Sequence, residues 1–426
     1  MGIIILFIFS FILPKAFNIV KLLLLLLGTL TVLDTIILFS AKTGVKGIRS
    51  LPEKFSNGDK NAVRLTIGNY YTFPVFVKII DEIPEQFQVR NFSITRKLEP
   101  SSTNELEYQL RPVDRGEYYF GALNIYVTSI FGLIARRFTY DDQAMVPTYP
   151  SFIQLRKYDL MAISNNLTQY GIKKIRKIGH TMEFEQIKEY VSGDDLRTIN
   201  WKATAKRNQL MVNQFQDEKS QPVYSIIDKG RVMKMPFDGL TLLDYAINAA
   251  LVMSNVALKK QDKAGILAFS KKVENIVVAE RRTSQMNLIL ETLYNVSTDF
   301  FESDYSRLYA DVKRNITHRS LILLYTNFET LDSLHRQLPY LKAIAKNHLL
   351  VVIFFKNTEL DTLINEPAET VQQAYDKVIA EKFAFEKRLI VSELQKYGIQ
   401  SILTSPQDLT IDTINKYLEI KARGLL

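Results

Sequence analysis

The run Leu22–Phe39, LLLLLLGTLTVLDTIILF, leaves its backbone a single option. Inside a bilayer no water satisfies N–H and C=O groups, so a spanning segment must bond internally as a helix. The run approaches the ~20 residues that a membrane-crossing helix needs. A second run, Gly2–Leu13 (GIIILFIFSFIL), is shorter and is separated from it by Pro14 and Lys15. It reads as a short first helix, a re-entrant piece or a continuation of the longer run. No basic stretch precedes it, and the two runs together exceed the apolar core of a signal peptide, so a retained anchor is expected over residues 1–41. Asp34 interrupts the long run. It is expected near the membrane interface or facing another helix, because intramembrane charge avoids lipid. Lys42, Lys46, Arg49 and Lys54 follow the long run, against Lys15 and Lys21 before it. The heavier cluster favours a cytoplasmic body, and that is the expectation.

The remainder is folded protein in composition, with 47% hydrophobic and 23% charged residues. The formal net charge of +9 is compatible with an anionic lipid surface or a polyanion. Cysteine is absent, so disulfides and thiolate chemistry are excluded. The four histidines, His180, His318, His335 and His348, are scattered, which removes the usual paired-histidine metal motifs. No GxGxxG or GxxxxGK[ST] loop stands at a strand-to-helix turn, which disfavours dinucleotide binding and P-loop hydrolysis. No cofactor is expected.

Residues 42–150 alternate in hydropathy between turn signals at Gly68–Asn69, Pro74, Pro112, Gly116, Gly121 and Gly132. Short strands at this spacing predict a β-sandwich-like module. Gly116 and Gly132 suit positive φ, and Tyr118, Tyr119 and Phe131 are expected core aromatics.

Residues 151–220 read as a linker ending in a dense motif. Lys173, Lys174, Arg176 and Lys177 form a basic run without an aromatic stacking platform, so a solvated face is expected rather than nucleic-acid binding. The motif EFEQIKEYVSGDDLRTINWKATAKRNQLMVNQF spans Glu183–Phe215. It gathers Gly193, Asp194, Asp195, Arg197, the sole tryptophan Trp201, Lys202, Lys206 and Arg207. Three readings compete. An interlocked charge network around Trp201 would clamp the segment to the next domain, and this is the leading expectation because dense opposite charges usually pair. A docking surface for a protein partner would use Trp and Arg as hot spots. A hydrolase acting on envelope substrates would use Asp194 and Asp195 as acid and base, but no nucleophile or cofactor loop joins them.

From residue 221 to 426, apolar strands alternate with helices, which predicts an α/β, doubly wound, mostly parallel sheet covered on both faces. Its first strand, in PVYSIIDKGRVM, ends at Asp228 on the carboxyl edge, where ligands of open α/β sheets bind.

The order of apolar anchor, β module, GDDLRTINWKATAK and α/β domain resembles the bacterial domain-of-unknown-function 58 family. RGEYYFG, FGLIARR and SQPVYSIID carry the rest of the resemblance, which covers nearly the whole chain. It implies a von Willebrand factor A-type fold for the last domain and association with a MoxR-type AAA ATPase or that ATPase's client. It implies no established enzymatic activity. A-type domains often hold Mg²⁺ through a D-x-S-x-S loop, completed by a distant Thr and Asp. Here that loop reads Asp228-Lys229-Gly230-Arg231-Val232, so Gly230 and Val232 stand where the serines would be. Thr326 or Asn327 stands where the distant Asp would be. A degenerate metal site is expected, with Asp228 paired instead to Lys229, Arg231 or a helix N-terminus. The expected whole is a scaffold or adaptor in the bacterial inner membrane. Lipid and a protein are its expected partners, with no specific nucleic acid and no small-molecule substrate. An envelope hydrolase and a basic polyanion binder are the alternatives.

Overall fold

The computed structural model describes residues 16–140, 143–153, 155, 182–217, 220–298 and 300–425. The readings placed on Gly2–Leu13 and on the basic run 173–177 lie outside these residues. The chain divides into two compact units, 1–149 and 150–426.

The first unit opens with α1 (Ala16–Ser40), the Leu-rich helix that the sequence predicts. Among the described residues it is the one helix long and apolar enough to cross a membrane, and little of it is buried. A three-stranded antiparallel sheet follows, ordered β1 (Val45–Ser50), β3 (Asn61–Asn69), β6 (Thr103–Leu110). A four-stranded antiparallel sheet has the order β5 (Ile94–Leu98), β4 (Val75–Asp81), β8 (Leu123–Thr128), β9 (Ala135–Tyr140). The short β2 (Phe55–Ser56), β10 (Met145–Tyr149) and β7 (Gly116–Tyr119) form a third. Alternate residues turn inward, so Val63, Leu65 and Ile67 of β3 share one core with Val75, Val77 and Ile79 of β4 and Ile125 of β8. Inside it, Arg49 of β1 pairs with Asp81 of β4 at 2.6 Å, and Tyr108 of β6 donates to the same carboxylate at 2.5 Å. That buried triad ties the two larger sheets together.

Gly116 and Gly132 adopt φ +133° and +64°, as their residue type predicts. Of the three expected core aromatics only Tyr118 is buried; Tyr119 and Phe131 are exposed. Strand alternation explains the first difference, since Tyr119 follows Tyr118 in β7 and must point the other way. Phe131 sits in the β8–β9 connection, where no sheet covers it.

The second unit begins with an antiparallel pair, β11 (Met182–Glu189) and β12 (Met211–Asp217). Between them lies the short helix α2 (Trp201–Arg207). The α/β domain follows. Its strands are β13 (Pro222–Asp228), β16 (Lys263–Phe269), β17 (Val273–Glu280), β18 (Leu321–Tyr325), β19 (Leu349–Phe355) and β20 (Gln400–Thr404). They form one sheet in the order β17-β16-β13-β18-β19-β20, parallel throughout except for the antiparallel edge strand β17. A small hairpin, β14 (Pro236–Phe237) and β15 (Leu240–Thr241), precedes the first large helix.

The helices are α3 (Leu242–Lys259), α4 (Gln285–Tyr294), α5 (Tyr305–Asn315), α6 (Leu331–Asn347), α7 (Thr358–Asn365), α8 (Val371–Lys396) and α9 (Leu409–Ala422). α3, α4 and α9 pack on one face of the sheet, and α5, α6 and α8 on the other. β13 feeds both faces: Val223 and Ile227 enter the first layer, Tyr224 and Ile226 the second. The start of α3 is fixed by a capping box of Thr241 and Asp244. Asp262, before β16, accepts from Tyr417 at 2.5 Å and Lys421 at 2.8 Å, which locks the last helix to the sheet.

Candidate functional site

At the carboxyl edge, β13 and β18 run side by side with Ile227 opposite Tyr325, so Asp228 and Thr326 leave their strands as neighbours. Asp228 is 1% exposed. Its Oδ2 accepts from Thr326 Oγ1 at 2.7 Å and faces the Tyr305 hydroxyl at 3.4 Å. Its Oδ1 accepts from the Gly230 N–H at 2.9 Å and from the Ser303 hydroxyl. Tyr305 and Thr326 bond each other at 2.7 Å. Burial raises the Asp228 pKa above the ordinary carboxylate value, and the donors from Ser303, Thr326, Gly230 and Tyr305 offset part of that rise.

The expected cationic partners of Asp228 are not the ones it has. Lys229 turns away, as the next residue along an extended strand must, and pairs with Glu274 at 2.6 Å. Arg231 is exposed, and the one helix N-terminus at the carboxylate among the described residues is that of the 3₁₀ turn Arg231–Lys234, whose N-cap Gly230 donates its N–H. Hydroxyls do the work instead. A Cβ at Gly230 would stand 2.2 Å from Ser303 Oγ, so the glycine admits a serine from elsewhere in the chain. Ser303 lies far along the sequence from Asp228. No spacing rule links the two, and only a Ser-Asp-Tyr run at the start of α5 marked the place. Mg²⁺ requires near-octahedral oxygen ligands, usually with more than one carboxylate or with phosphates. The cluster supplies one carboxylate whose oxygens already accept four donors, so its donor set does not suit the ion.

Beside the cluster the same edge opens into a cavity of about 650 Å³. Phe237, Phe355, Leu360 and Phe383 contribute apolar walls, with Asn327 and Lys387 as polar points. The volume lies within the ~300–1,000 Å³ typical of ligand pockets. Asn327 does not approach Asp228. Its Oδ1 accepts from Lys387 Nζ at 2.7 Å, and that amine also donates to the Phe328 carbonyl at 2.5 Å. Burial lowers the Lys387 pKa to about 8, with Glu329 opposing the shift.

The GDDLRTINWKATAK segment is built differently from the paired network that its composition predicts. Gly193 turns at φ +115°. Asp194 accepts from the Val191 N–H at 3.0 Å and pairs with Lys188 at 2.9 Å; both bonds hold its pKa below the usual carboxylate range, the backbone bond most. Asp195 caps a single 3₁₀ turn through the Arg197 N–H at 2.9 Å. Asn200 caps α2 through the Ala203 N–H at 3.0 Å, and Thr204 accepts from the Met211 N–H at 3.0 Å. The short polar side chains thus satisfy backbone donors. Arg197, Lys202, Lys206 and Arg207 are exposed, and no carboxylate pairs with them among the described residues. Trp201 is 70% exposed. The interlocked clamp is therefore overturned: the carboxylates that would have built it are spent on local turns. The two carboxylates that the hydrolase reading pairs each serve a local bond, Asp194 with Lys188 and the Val191 N–H and Asp195 as a cap.

Comparison with known proteins adds the following. Residues 186–363 match the family model described as protein of unknown function DUF58, in agreement with the resemblance read from the sequence. The chain is 26% identical over 180 residues to the uncharacterized protein YeaD of Bacillus subtilis (strain 168). That match covers 40% of this chain and 44% of YeaD, so the chain spans less than half of that relative's length. Among solved structures, the SpRpn10 VWA domain aligns with 46% of this chain and 95% of its own, at 10% identity and a TM-score of 0.29. A PapD-like domain of human CEP192 aligns with 25% of this chain and 84% of its own, at 13% identity and a TM-score of 0.20.

Proposed function

We propose that this chain is a membrane-anchored adaptor that holds a protein partner on its second unit. The observation that carries this reading is the surface of the GDDLRTINWKATAK segment. Trp201 stands exposed among Arg197, Lys202 and Arg207, with Val191 and Leu196 exposed nearby in sequence. An exposed aromatic with unpaired cations close by in sequence is the composition of an interface hot spot, and it fits a partner with an acidic rim around an apolar pocket. A second apolar stripe supports a protein partner. Val371, Tyr375, Val378 and Ile379 fall at helical spacing on α8, and all four are exposed.

The family resemblance makes a MoxR-type AAA ATPase, or its client, the proposed partner, and a cytoplasmic body on the inner membrane suits it. At the carboxyl edge we read Asp228 as what remains of a metal site whose ligands have been replaced by internally bonded hydroxyls. Affinity capture of the full chain from its own membranes, with Trp201→Ala as the matched control, tests the reading. The wild-type chain should enrich an AAA ATPase or a shared client several-fold over the variant. Equal recovery by both proteins, or none by either, sinks it.

A further inference from the structure

The β8–β9 loop, Ser129–Ile134 (SIFGLI), grips the apolar helix at its one acidic residue. Asp34, expected from the sequence to face another helix or the interface, is fully buried by this loop. One carboxylate oxygen accepts the Ser129 hydroxyl, and the other accepts the Leu133 and Ile134 N–H groups at 3.1 Å each. Ser129 Oγ also accepts the Phe131 N–H at 3.0 Å, and Gly132, at φ +64°, lets the loop double back. The loop therefore turns its polar groups inward to the helix and its side chains outward. Ile130 is 67%, Phe131 54% and Leu133 40% exposed.

Three large apolar side chains on one short loop are an unfavourable display in water. The helix that the loop grips is itself apolar and exposed, at Leu27, Val32, Leu33 and Ile36 among others. Helix and loop thus both display apolar side chains at the level of Asp34. Distance along the helix fixes its depth. Asp34 precedes the last helical residue, Ser40, by about 9 Å of rise, and the whole of α1 is about 37 Å long against ~30 Å of hydrocarbon. The loop thus meets the helix near the hydrocarbon boundary. Arg136 closes the helix just above, donating to the Leu38 carbonyl at 2.6 Å and the Ala41 carbonyl at 2.7 Å. Exposed Lys42 and Lys46 follow, at the height of lipid headgroups.

We infer that the Ile130–Leu133 tip is a second membrane-inserting element, seated in the bilayer beside the carboxyl end of α1 and clipped to it through Asp34. This rests on reading α1 as the membrane anchor. The carboxylate lies at membrane depth because the loop brings three donors to it, and the loop is drawn to that depth because its donors face a carboxylate. Neither feature is explained without the other.

The chain contains no cysteine, so single sites can be labelled in the full protein. Phe131→Cys and Leu25→Cys, each carrying an environment-sensitive nitrobenzoxadiazole, would be reconstituted in phosphatidylcholine/phosphatidylglycerol vesicles. Quenching by shallow and deep lipid nitroxides would be compared with quenching by aqueous iodide. The Leu25 label should be quenched best by the deep nitroxide. The Phe131 label should be quenched at least threefold more by the shallow nitroxide than by iodide. Lipid quenching at Leu25, with iodide quenching alone at Phe131, would overturn the inserted loop and leave the anchor intact. A Phe131 label shielded from both quenchers would mean that protein, such as a second copy of the chain, covers the tip, and would equally overturn the proposal. Absence of lipid quenching at Leu25 would remove the anchor itself.

Discussion

Gly230→Ser restores the hydroxyl that a D-x-S-x-S loop would carry, and the structure says that it should damage the domain. The backbone at Gly230 is extended, with φ −71°, so a side chain is not excluded by torsion. It is excluded by volume. The new Cβ would meet Ser303 Oγ at 2.2 Å and the Phe301 carbonyl at 3.0 Å. Overpacking of this kind costs about 1–3 kcal/mol. Expelling Ser303 also removes a donor from a buried carboxyl, which costs about another 1–3 kcal/mol. The sum, about 2–6 kcal/mol, corresponds to a fall of roughly 4–24 °C in melting temperature for a domain of this size. The assay is thermal melting of the full chain in detergent, with and without Mg²⁺. The double variant Gly230→Ser/Ser303→Gly moves the hydroxyl from one side of the clash to the other and should recover most of the loss. A single variant that melts within a degree of wild type would refute the steric argument. So would a single variant that Mg²⁺ raises by several degrees, because the carboxylate would then be available to a cation.

Two further outcomes follow from charge burial. The folded-state pKa of Asp228 is raised, so the stability it contributes is full below its unfolded value and is lost as pH rises through the folded value. Asp228→Asn, which does not titrate, should therefore gain on wild type in urea midpoint as pH rises from 4 to 8; a midpoint difference that stays constant, or that moves in favour of wild type, would contradict the assignment. Lys387, with its pKa lowered to about 8, should carry roughly 300 times more neutral amine at pH 7 than an ordinary lysine. The acetylation rate of Lys387, followed by peptide mass spectrometry against pH, should level off above about pH 8 while that of exposed Lys382 keeps rising, and two parallel profiles would mean that the amine is ordinary.

What could be read from the sequence was what neighbours in the chain decide. The apolar run dictated α1, and period-two alternation gave the strands of the β module. Uninterrupted apolar runs between amphipathic segments gave the doubly wound sheet, down to the strand ending at Asp228. The partners of Asp34 and Asp228 were settled instead by contacts between distant parts of the chain. Asp34 meets Ser129 and Ile134 across the first unit, and Asp228 meets Ser303 and Thr326 across the second. A carboxylate's partner cannot be found by counting along the chain when the sheet order, not the spacing, brings it near. Tyr119 and Phe131 are exposed for a simpler reason: an aromatic residue signals burial only if the face it occupies is covered.

The GDDLRTINWKATAK segment shows why charge density misleads. Acidic and basic residues close in sequence suggest mutual neutralisation, and an exposed ion pair contributes only about 0–1 kcal/mol. Capping a turn or helix start is worth about 0.5–2 kcal/mol, so short acidic and amide side chains beside free N–H groups bond the backbone first. Asp194, Asp195 and Asn200 do so here. Their long basic neighbours cannot cap an N-terminus and are left facing solvent, together with a tryptophan that no core covers. The motif thus divides by side-chain length: the short residues fix the backbone, and the long ones are what the fixed backbone displays. Loss of display and loss of folding should therefore separate by position, with Trp201→Ala and Arg207→Ala weakening capture at unchanged stability, and Asn200→Ala weakening both.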